Sequence, residues 1–465
     1  MSSYNQEIIA AISTPVGEGA ISIVRVSGHG CLYLIDKIFK GKFHLTDANP
    51  HTIHFGSIVN DKGKALDEVL AAVFRSPNSY TTEDMVEINC HGGWFVTNKI
   101  LQRILECGAR MAEPGEFTKR AFLNGRIDLA QAEAVADLIK ARSDLAHKVS
   151  ISQLEGKLSQ QIIHINSQLI HLISLIELEL DFIEENIVLT DKNSIIEKLR
   201  LILTELQKLI ETYQQGKLYR EGIKVVIAGM PNSGKSSLLN LLLEEDRAIV
   251  TPIPGTTRDI IEENFIINGA LFRLTDTAGI RLSNDTIEIE GVRRSHEKIQ
   301  ESDIILFLVD ISKDIFEDEI RLINQLIFER KTILIVLNKI DLVDDETISN
   351  NPISTQFQVF PIGKISAITG TGIHELKKLI FNIAFSGIPL PSEAGILVSN
   401  ERHRQALVSA TKSLELAIDS ANNNLSGEFI SVDIRSAIDS LGTITGEVTT
   451  DDILNNIFSN FCIGK

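Results

Sequence analysis

The chain has 465 residues, and at roughly 150 residues per domain that length implies about three domains and excludes one compact fold. Its 45 Lys+Arg against 62 Asp+Glu leave a net charge of −17, which excludes coating of nucleic acid or an anionic membrane by the whole body and leaves any RNA contact local or shared with a partner. A hydrophobic content of 43% with 23% charged residues excludes wholesale disorder and a fibrous repeat.

No run reaches the roughly 18 apolar residues of a membrane span, and the start MSSYNQEII has neither the basic flank nor the apolar centre of a secretory signal. A cytoplasmic protein is expected. Cys31, Cys90, Cys107 and Cys462 are scattered without a CxxC pair, which favours reduced thiols over a disulfide scaffold or a zinc ribbon.

In chain order, β-branched runs such as ISIVRVSG, HTIHFGSIV, LAAVF and MVEINCHGG alternate with helix-like CLYLIDKIF and VTNKILQRILECG. They predict an N-terminal α+β domain over residues 1–118. Strong helix formers begin near DLAQAEAVADLIKARSDLA and predict a helical part over 119–217. Within it Leu199, Ile202, Leu203, Leu206, Leu209 and Ile210 form an apolar stripe, after a capping box predicted at Ser194 and Glu197. Residues 218–384 read differently: KVVIAG, LFRLTDTAG, DIILFLVD and TILIVLNKID are near-continuous apolar strands, each followed by helix-like sequence, which predicts a doubly wound, mostly parallel sheet. The Pro-rich SGIPLPSEAG closes that insertion. A second helical part over 385–465 follows, and the two helical parts together are expected to make one discontinuous domain, since a lone helical hairpin cannot bury both faces.

GMPNSGKS, residues 229–236, follows the strand KVVIAG and precedes the helix-like SLLNLLLEE, the context a P-loop requires. Its backbone N–H groups are expected to wrap phosphate oxygens at the positive end of a helix, with Lys235 adding charge at the β/γ phosphates and Ser236 a hydroxyl for Mg²⁺. Asn232, Ser233, Gly234 and Ser237 complete that loop. Asp276, Thr277, Ala278 and Gly279 end a strand where a carboxylate can hold Mg²⁺ through water and a glycine N–H can meet the γ phosphate. Asn338, Lys339 and Asp341 end another, and there a carboxylate accepts two hydrogen bonds from guanine N1–H and N2, donors adenine does not offer in that arrangement. Ser366 and Ala367 stand where a backbone N–H can meet guanine O6. The ordered set resembles the translation-factor-related GTPases, which implies a Ras-like domain hydrolysing GTP with Mg²⁺. Ras-like enzymes carry Gln after DTAG; Ile280 stands here, so water must be oriented from elsewhere. Asn232 and TPIPGTTRD offer hard oxygen ligands suited to a monovalent cation, against the alternative of an ordinary solvated loop. Glu288 or Glu290 could reach a water, although exposed loop glutamates are more often merely solvated.

GMPNSGKS, PGTTRD and DTAGIR inserted into a helical region, together with TPVGEGAISIVRVSG, TTEDMVEINCHGG, PGEFTKRAFLNGRIDLAQAEAVADLI and the tail GEVTTDDILNNIFSNFCIGK, resemble the MnmE (TrmE) family of tRNA modification GTPases over the whole chain. The resemblance implies a homodimer joined by N-terminal domains that hold 5-formyl- or 5,10-methylene-tetrahydrofolate. It also implies a flavoprotein partner, MnmG, in a heterotetramer. Together they would add a (carboxymethyl)aminomethyl group to C5 of the wobble uridine of certain tRNAs, with hydrolysis driven by K⁺-dependent pairing of GTPase domains. Carried over by motif, Asn232, Thr251, Ile253 and Thr256 would bind K⁺, and Ser236 and Thr257 Mg²⁺. Pro254 and Gly255 join the GTP site, Glu288 becomes the water-orienting catalytic carboxylate, and Arg25, Glu87, Arg126 and Lys465 bind folate. A pterin's amide-like edge suits a carboxylate, and its glutamate tail suits cations. Cys462, beside that pocket, reads as a nucleophile or, more commonly, a small hydrophobe. Adjacent Cys90 and His91 lack metal-ligand spacing, and Trp94 reads as packing. The rival reading is a nucleotide-switched RNA-assembly factor, against which the N-terminal domain and FCIGK tail argue.

Overall fold

The computed structural model describes residues 7–15, 17–181, 192–246, 262–276, 298–313, 317–349, 351–386 and 395–465. It divides into two compact units, one of Met1–Ala136, Gln153–Thr204 and Ala406–Lys465 and the other of Asp137–Ser152 and Glu205–Gln405.

The first unit is built on a seven-stranded sheet: β1 (Ile9–Ile12), β2 (Ile21–Ser27), β3 (Phe39–Gly41), β4 (Thr52–Val59), β5 (Ala65–Phe74), β6 (Met85–His91) and β7 (Arg110–Met111), in the order β3-β4-β5-β6-β2-β1-β7. All neighbours are antiparallel except β1 and β7. Alternation along the strands sends Val24, Val26, Val69, Ala71, Val86 and Ile88 to one face, where they pack with α1 (Cys31–Asp36) and α2 (Trp94–Glu106). Ile100, Leu101 and Ile104 are the buried stripe of α2. The opposite face carries Arg25 and Glu87 side by side in register, and beyond them Phe55 opposite Leu70. CLYLIDKIF is not one helix. It breaks after Asp36, whose carboxylate accepts the Leu45 and Thr46 N–H groups at 2.6 and 3.0 Å, and Phe39 turns inward as a buried strand residue opposite Ile58.

Helices α3 (Glu116–Leu123), α4 (Leu129–Lys140), α5 (Asp144–Leu154), α6 (Lys157–Asp181) and α7 (Lys192–Glu211) follow. Helix α7 is already helical at Lys192, so Ser194 is an interior residue and not the predicted N-cap. Its stripe holds: Leu199, Ile202, Leu206 and Leu209 are buried.

In the second unit, α8 (Tyr213–Glu221) leads into β8 (Ile223–Gly229), α9 (Lys235–Asp246), β9 (Glu262–Ile267), β10 (Ala270–Asp276), β11 (Ile304–Asp310), α10 (Glu317–Phe328), β12 (Ile333–Asn338), the short α11 (Asp345–Ser349) and α12 (Pro352–Gln356), β13 (Ile362–Ile365) and α13 (Ile373–Ala384). The sheet order is β13-β12-β11-β8-β10-β9, parallel throughout except for β9 at one edge. Both faces are covered, one by Leu238, Leu242, Leu376 and Ile380, the other by Ile299, Ile323 and Leu326. That two-sided burial is why the strands read as unbroken apolar runs. Leu145 and Val149 of α5 join the first of these cores, and the Leu145 N–H donates to Gly269 O at 3.1 Å.

The chain ends in α14 (Glu401–Asn422), α15 (Gly427–Thr445) and α16 (Asp451–Ser459). Gly427 lets α15 close on α6: a Cβ there would lie 2.8 Å from Ile176 Cγ2. The architecture is multidomain α/β, an N-terminal α+β sheet domain, helices from distant stretches and an inserted doubly wound P-loop domain.

Candidate functional site

Strand β8 ends at Gly229 and α9 starts at Lys235, so GMPNSG forms the connecting loop. Two of its glycines are required by geometry. Gly229 and Gly234 have φ of +142° and +101°, and a Cβ would lie 2.4 Å from Leu308 O at the first and 2.2 Å from Asn338 Nδ2 at the second. Asn232 is left-handed too, with φ 63°. Lys235 Nζ folds back onto the carbonyls of Gly229 and Met230 at 3.0 and 2.8 Å. Ser236 and Ser237 are exposed in the first turn of α9. Ser233 is 1% exposed, and its hydroxyl has no hydrogen-bond partner among the described residues.

Asn338 joins three motifs with one buried side chain. Its Nδ2 donates to Ser233 O at 2.7 Å, and its Oδ1 accepts the Ala367 N–H at 3.0 Å. Ser366, fully buried, holds its own loop by donating its N–H to Thr371 O and accepting Thr369 N–H on Oγ. Lys339 has φ 69° and Asp341 is exposed in the turn that follows. Asp276, the last residue of β10, is in parallel register with Ile227, which puts it at the same sheet end as the loop. Thus Asn232, Ser233, Gly234, Lys235, Ser236, Ser237, Asp276, Asn338, Lys339, Asp341, Ser366 and Ala367 lie at the carboxyl ends of adjacent strands, where open α/β sheets bind ligands. Thr251, Ile253, Pro254, Gly255, Thr256, Thr257, Thr277, Ala278, Gly279 and both candidate carboxylates Glu288 and Glu290 lie outside the described residues.

A second cluster lies in the sheet domain. Arg25 Nε and Nη2 both donate to Glu87 Oε1, at 2.9 and 2.7 Å, and its Nη1 reaches Gly464 O at 3.4 Å. Ser13 Oγ donates to the same carbonyl at 3.1 Å. Gly464 has φ +94°, and a Cβ would lie 2.3 Å from Ile12 O, so the tail can only pass here as glycine. That passage carries Lys465 into the cluster. Burial first, then the Arg25 charge, pulls its ammonium below the usual lysine range. Arg126 arrives from another side: its guanidinium is 4.8 Å from the Tyr80 ring centroid and donates to Tyr80 O at 3.0 Å, while Arg25 lies 5.2 Å from the same ring.

Tyr80, Phe117, whose ring centroid lies 5.6 Å from the Arg25 guanidinium, and Ser13 belong to no predicted site. Tyr80 directly precedes the TTED string, and an aromatic beside that turn was the available signal. Behind them Arg120 bridges Glu83 and Glu116, each within 3.1 Å, and Arg110 also holds Glu116. Burial raises the Glu116 pKa, but Arg110, the Glu113 N–H and Arg120 outweigh it and hold the carboxyl below its ordinary value. Cys31 and Cys90 are buried thiols whose pKa values burial pushes up, whereas Cys462 is exposed. His91 is paired with Asp67 at 2.7 Å, Trp94 is 55% exposed rather than packed, and no group of three or more metal-ligating side chains occurs among the described residues. No described helix is long and apolar enough to cross a membrane.

A family model for the GTP-binding protein TrmE N-terminus matches residues 8–126, and one for the MnmE helical domain matches residues 129–462. The tRNA modification GTPase MnmE of Acetivibrio thermocellus is 44% identical over 463 residues, covering 99% of this chain and 100% of that protein. The protein of the same name from Alkaliphilus oremlandii is 44% identical over 465 residues, with 99% and 100% covered. Among solved structures, Era of Aquifex aeolicus bound to GDP·AlF4⁻ is 30% identical, with 42% of this chain and 67% of that one covered and a TM-score of 0.31. With more than half of its length matched by one family model and relatives 44% identical from end to end, the chain belongs to the MnmE (TrmE) family of tRNA modification GTPases.

Proposed function

We propose that this protein is a cytoplasmic, K⁺-dependent GTP hydrolase, activated by pairing of its GTPase domains. With the flavoprotein MnmG, in a heterotetramer, it adds a (carboxymethyl)aminomethyl group to C5 of the wobble uridine of certain tRNAs, using a tetrahydrofolate one-carbon unit. The observation that carries the reading is the coexistence in one chain of a phosphate loop tied by Asn338 to Ala367 and a cluster where Arg25, Glu87 and Lys465 converge.

The residues fit the groups they would hold. The left-handed loop, the Lys235 ammonium and the exposed Ser236 hydroxyl suit a Mg²⁺-bound triphosphate, with Asp276 at the same sheet end. Asp341 would take guanine N1–H and N2, and Ala367 would face O6. Asn232 presents an exposed amide beside the loop for K⁺, with Thr251, Ile253 and Thr256 as its partners, Thr257 completing the Mg²⁺ set and Glu288 orienting water. A bound monovalent cation would supply positive charge next to the phosphates. In the sheet domain one carboxylate among three cations matches a pterin edge and an anionic tail: Glu87 for the first, Arg25, Arg126 and Lys465 for the second. A folate held there would supply the one-carbon unit. The domain division 1–118, 119–217, 218–384 and 385–465 belongs to the same reading.

A homodimer through the N-terminal sheet is supported by the sheet face that carries Ile53, Phe55 and Leu70, which are 66%, 66% and 45% exposed. An apolar patch of that kind is an interaction surface. The test is nucleoside analysis of tRNA from cells lacking this chain. Loss of the C5 group at the wobble uridine, restored by the wild-type chain, is expected; an unchanged nucleoside profile contradicts the reading.

A further inference from the structure

Asp310 is the last residue of β11 and was predicted for no site. Its Oδ2 accepts from Lys339 Nζ at 2.5 Å, and its Oδ1 accepts from the Ser312 hydroxyl at 2.6 Å and the Ser312 N–H at 3.2 Å. The pair is largely sheltered, with the carboxylate side chain 10% exposed and the lysine side chain 22%. Lys313 stands 3.8 Å from the same oxygen, but it is far more exposed. Burial raises the Asp310 pKa; the bonds from Lys339 and Ser312 outweigh it and hold the carboxyl below its ordinary range, so it is an anion when it grips Lys339.

Lys339 lies between Asn338, which ties the phosphate loop to Ala367, and the turn bearing Asp341. Its backbone is left-handed, a conformation unfavourable for a residue with a long side chain and held only where the surroundings determine it. Register adds a further constraint: Asp310 is the direct β11 partner of Asn338 on β12, so the carboxylate and the turn it pins spring from one rung of the sheet.

We infer that Asp310 is a positioning residue for guanine recognition, acting through Lys339 to hold the turn that presents Asn338 and Asp341. This rests on the guanine-site reading above. A pinned turn presents Asp341 to guanine without having to be ordered on binding, so the pair contributes to affinity and not to the hydrolytic step.

The test is binding of a fluorescent guanosine diphosphate to the full-length protein. Asp310→Asn, which keeps the shape and removes the charge, is expected to weaken affinity about tenfold and to raise KM for GTP rather than lower kcat. Asp310→Glu should recover part of that loss. Lys339→Met should weaken binding as well, and adding Asp310→Asn to it should cost nothing further, since the carboxylate acts through the ammonium. Ser312→Ala, at an exposed position, should give a smaller loss of the same sign and serves if Asp310→Asn is poorly folded. Wild-type affinity in Asp310→Asn, or an equal further loss in the Lys339→Met background, overturns the inference. Asp341→Asn separates the two levels. If it relaxes guanine over xanthine preference while Asp310→Asn has no effect, the guanine site stands and the positioning role fails; if it leaves that preference intact, both fail.

Discussion

At the scale of single residues, the Arg25 cluster in the sheet domain hangs on Gly464. Any side chain there meets Ile12 O at 2.3 Å and must also adopt φ +94°. Strain of that kind costs on the order of 1–3 kcal/mol, and it is relieved when this stretch moves off Ile12. Gly464→Ala is therefore expected to displace Lys465 from Arg25, leave GTP turnover intact and weaken binding of 5-formyl-tetrahydrofolate about tenfold, since one charge-assisted contact is lost. Calorimetric titration showing unchanged folate affinity would contradict this. The residues that make up this cluster were legible only through long strings shared with a family, because Arg25, Glu87 and Lys465 are remote in sequence and nothing in their spacing announces that they meet. Tyr80, which carries the guanidinium groups of both Arg25 and Arg126 over its ring, had only its place directly before the TTED turn to signal it.

Elements were more readable where periodicity is strong. The apolar strands of the second unit and the stripe of α7 were plain, because burial on one or two faces writes itself into residue type. The break in CLYLIDKIF has a local cause: a side-chain hydrogen bond competing with the pattern. Asp36 ends α1 by capping a loop, and no hydropathy count registers a carboxylate satisfied by Leu45 and Thr46 N–H groups. The start of α14 shows the same kind of local device. Glu401, in its first turn, is favoured by the helix dipole and paired with Arg404 at 2.8 Å. Bonding from Arg404, then Tyr213, pulls its pKa down to about 2 from 4.5. A carboxylate with a folded pKa below its unfolded value contributes stability that is full above 4.5 and is lost as pH falls towards 2. The difference in melting temperature between wild type and Glu401→Gln should therefore shrink across that window. A difference independent of pH would argue against the pairing.

On the scale of the whole molecule, the boundaries of the compact units run through α4, α5, α7 and α14 rather than between elements. None of these boundaries carries the Gly or Pro that marks a turn, since the helix runs on through it. The consequence is that the expected GTPase segment 218–384 omits part of its own core: Leu145 and Val149 from α5, and Phe385, which stacks 5.5 Å from Tyr219. Burying two such aliphatic side chains stabilises by about 3 kcal/mol or more. A fragment of residues 205–405 should melt well below the same unit assembled with residues 137–152 supplied as a peptide, and equal melting temperatures would show that α5 contributes nothing.

The bond between Ser13 and Gly464 joins positions 451 residues apart. Every residue of the second unit lies between those two positions in the sequence. Closing a loop that long carries an entropic cost that grows only slowly with its length. A small molecule that binds the folded cluster around Arg25 and not the unfolded chain would favour that closure, and with it the arrangement of the two distant stretches that make up the first unit.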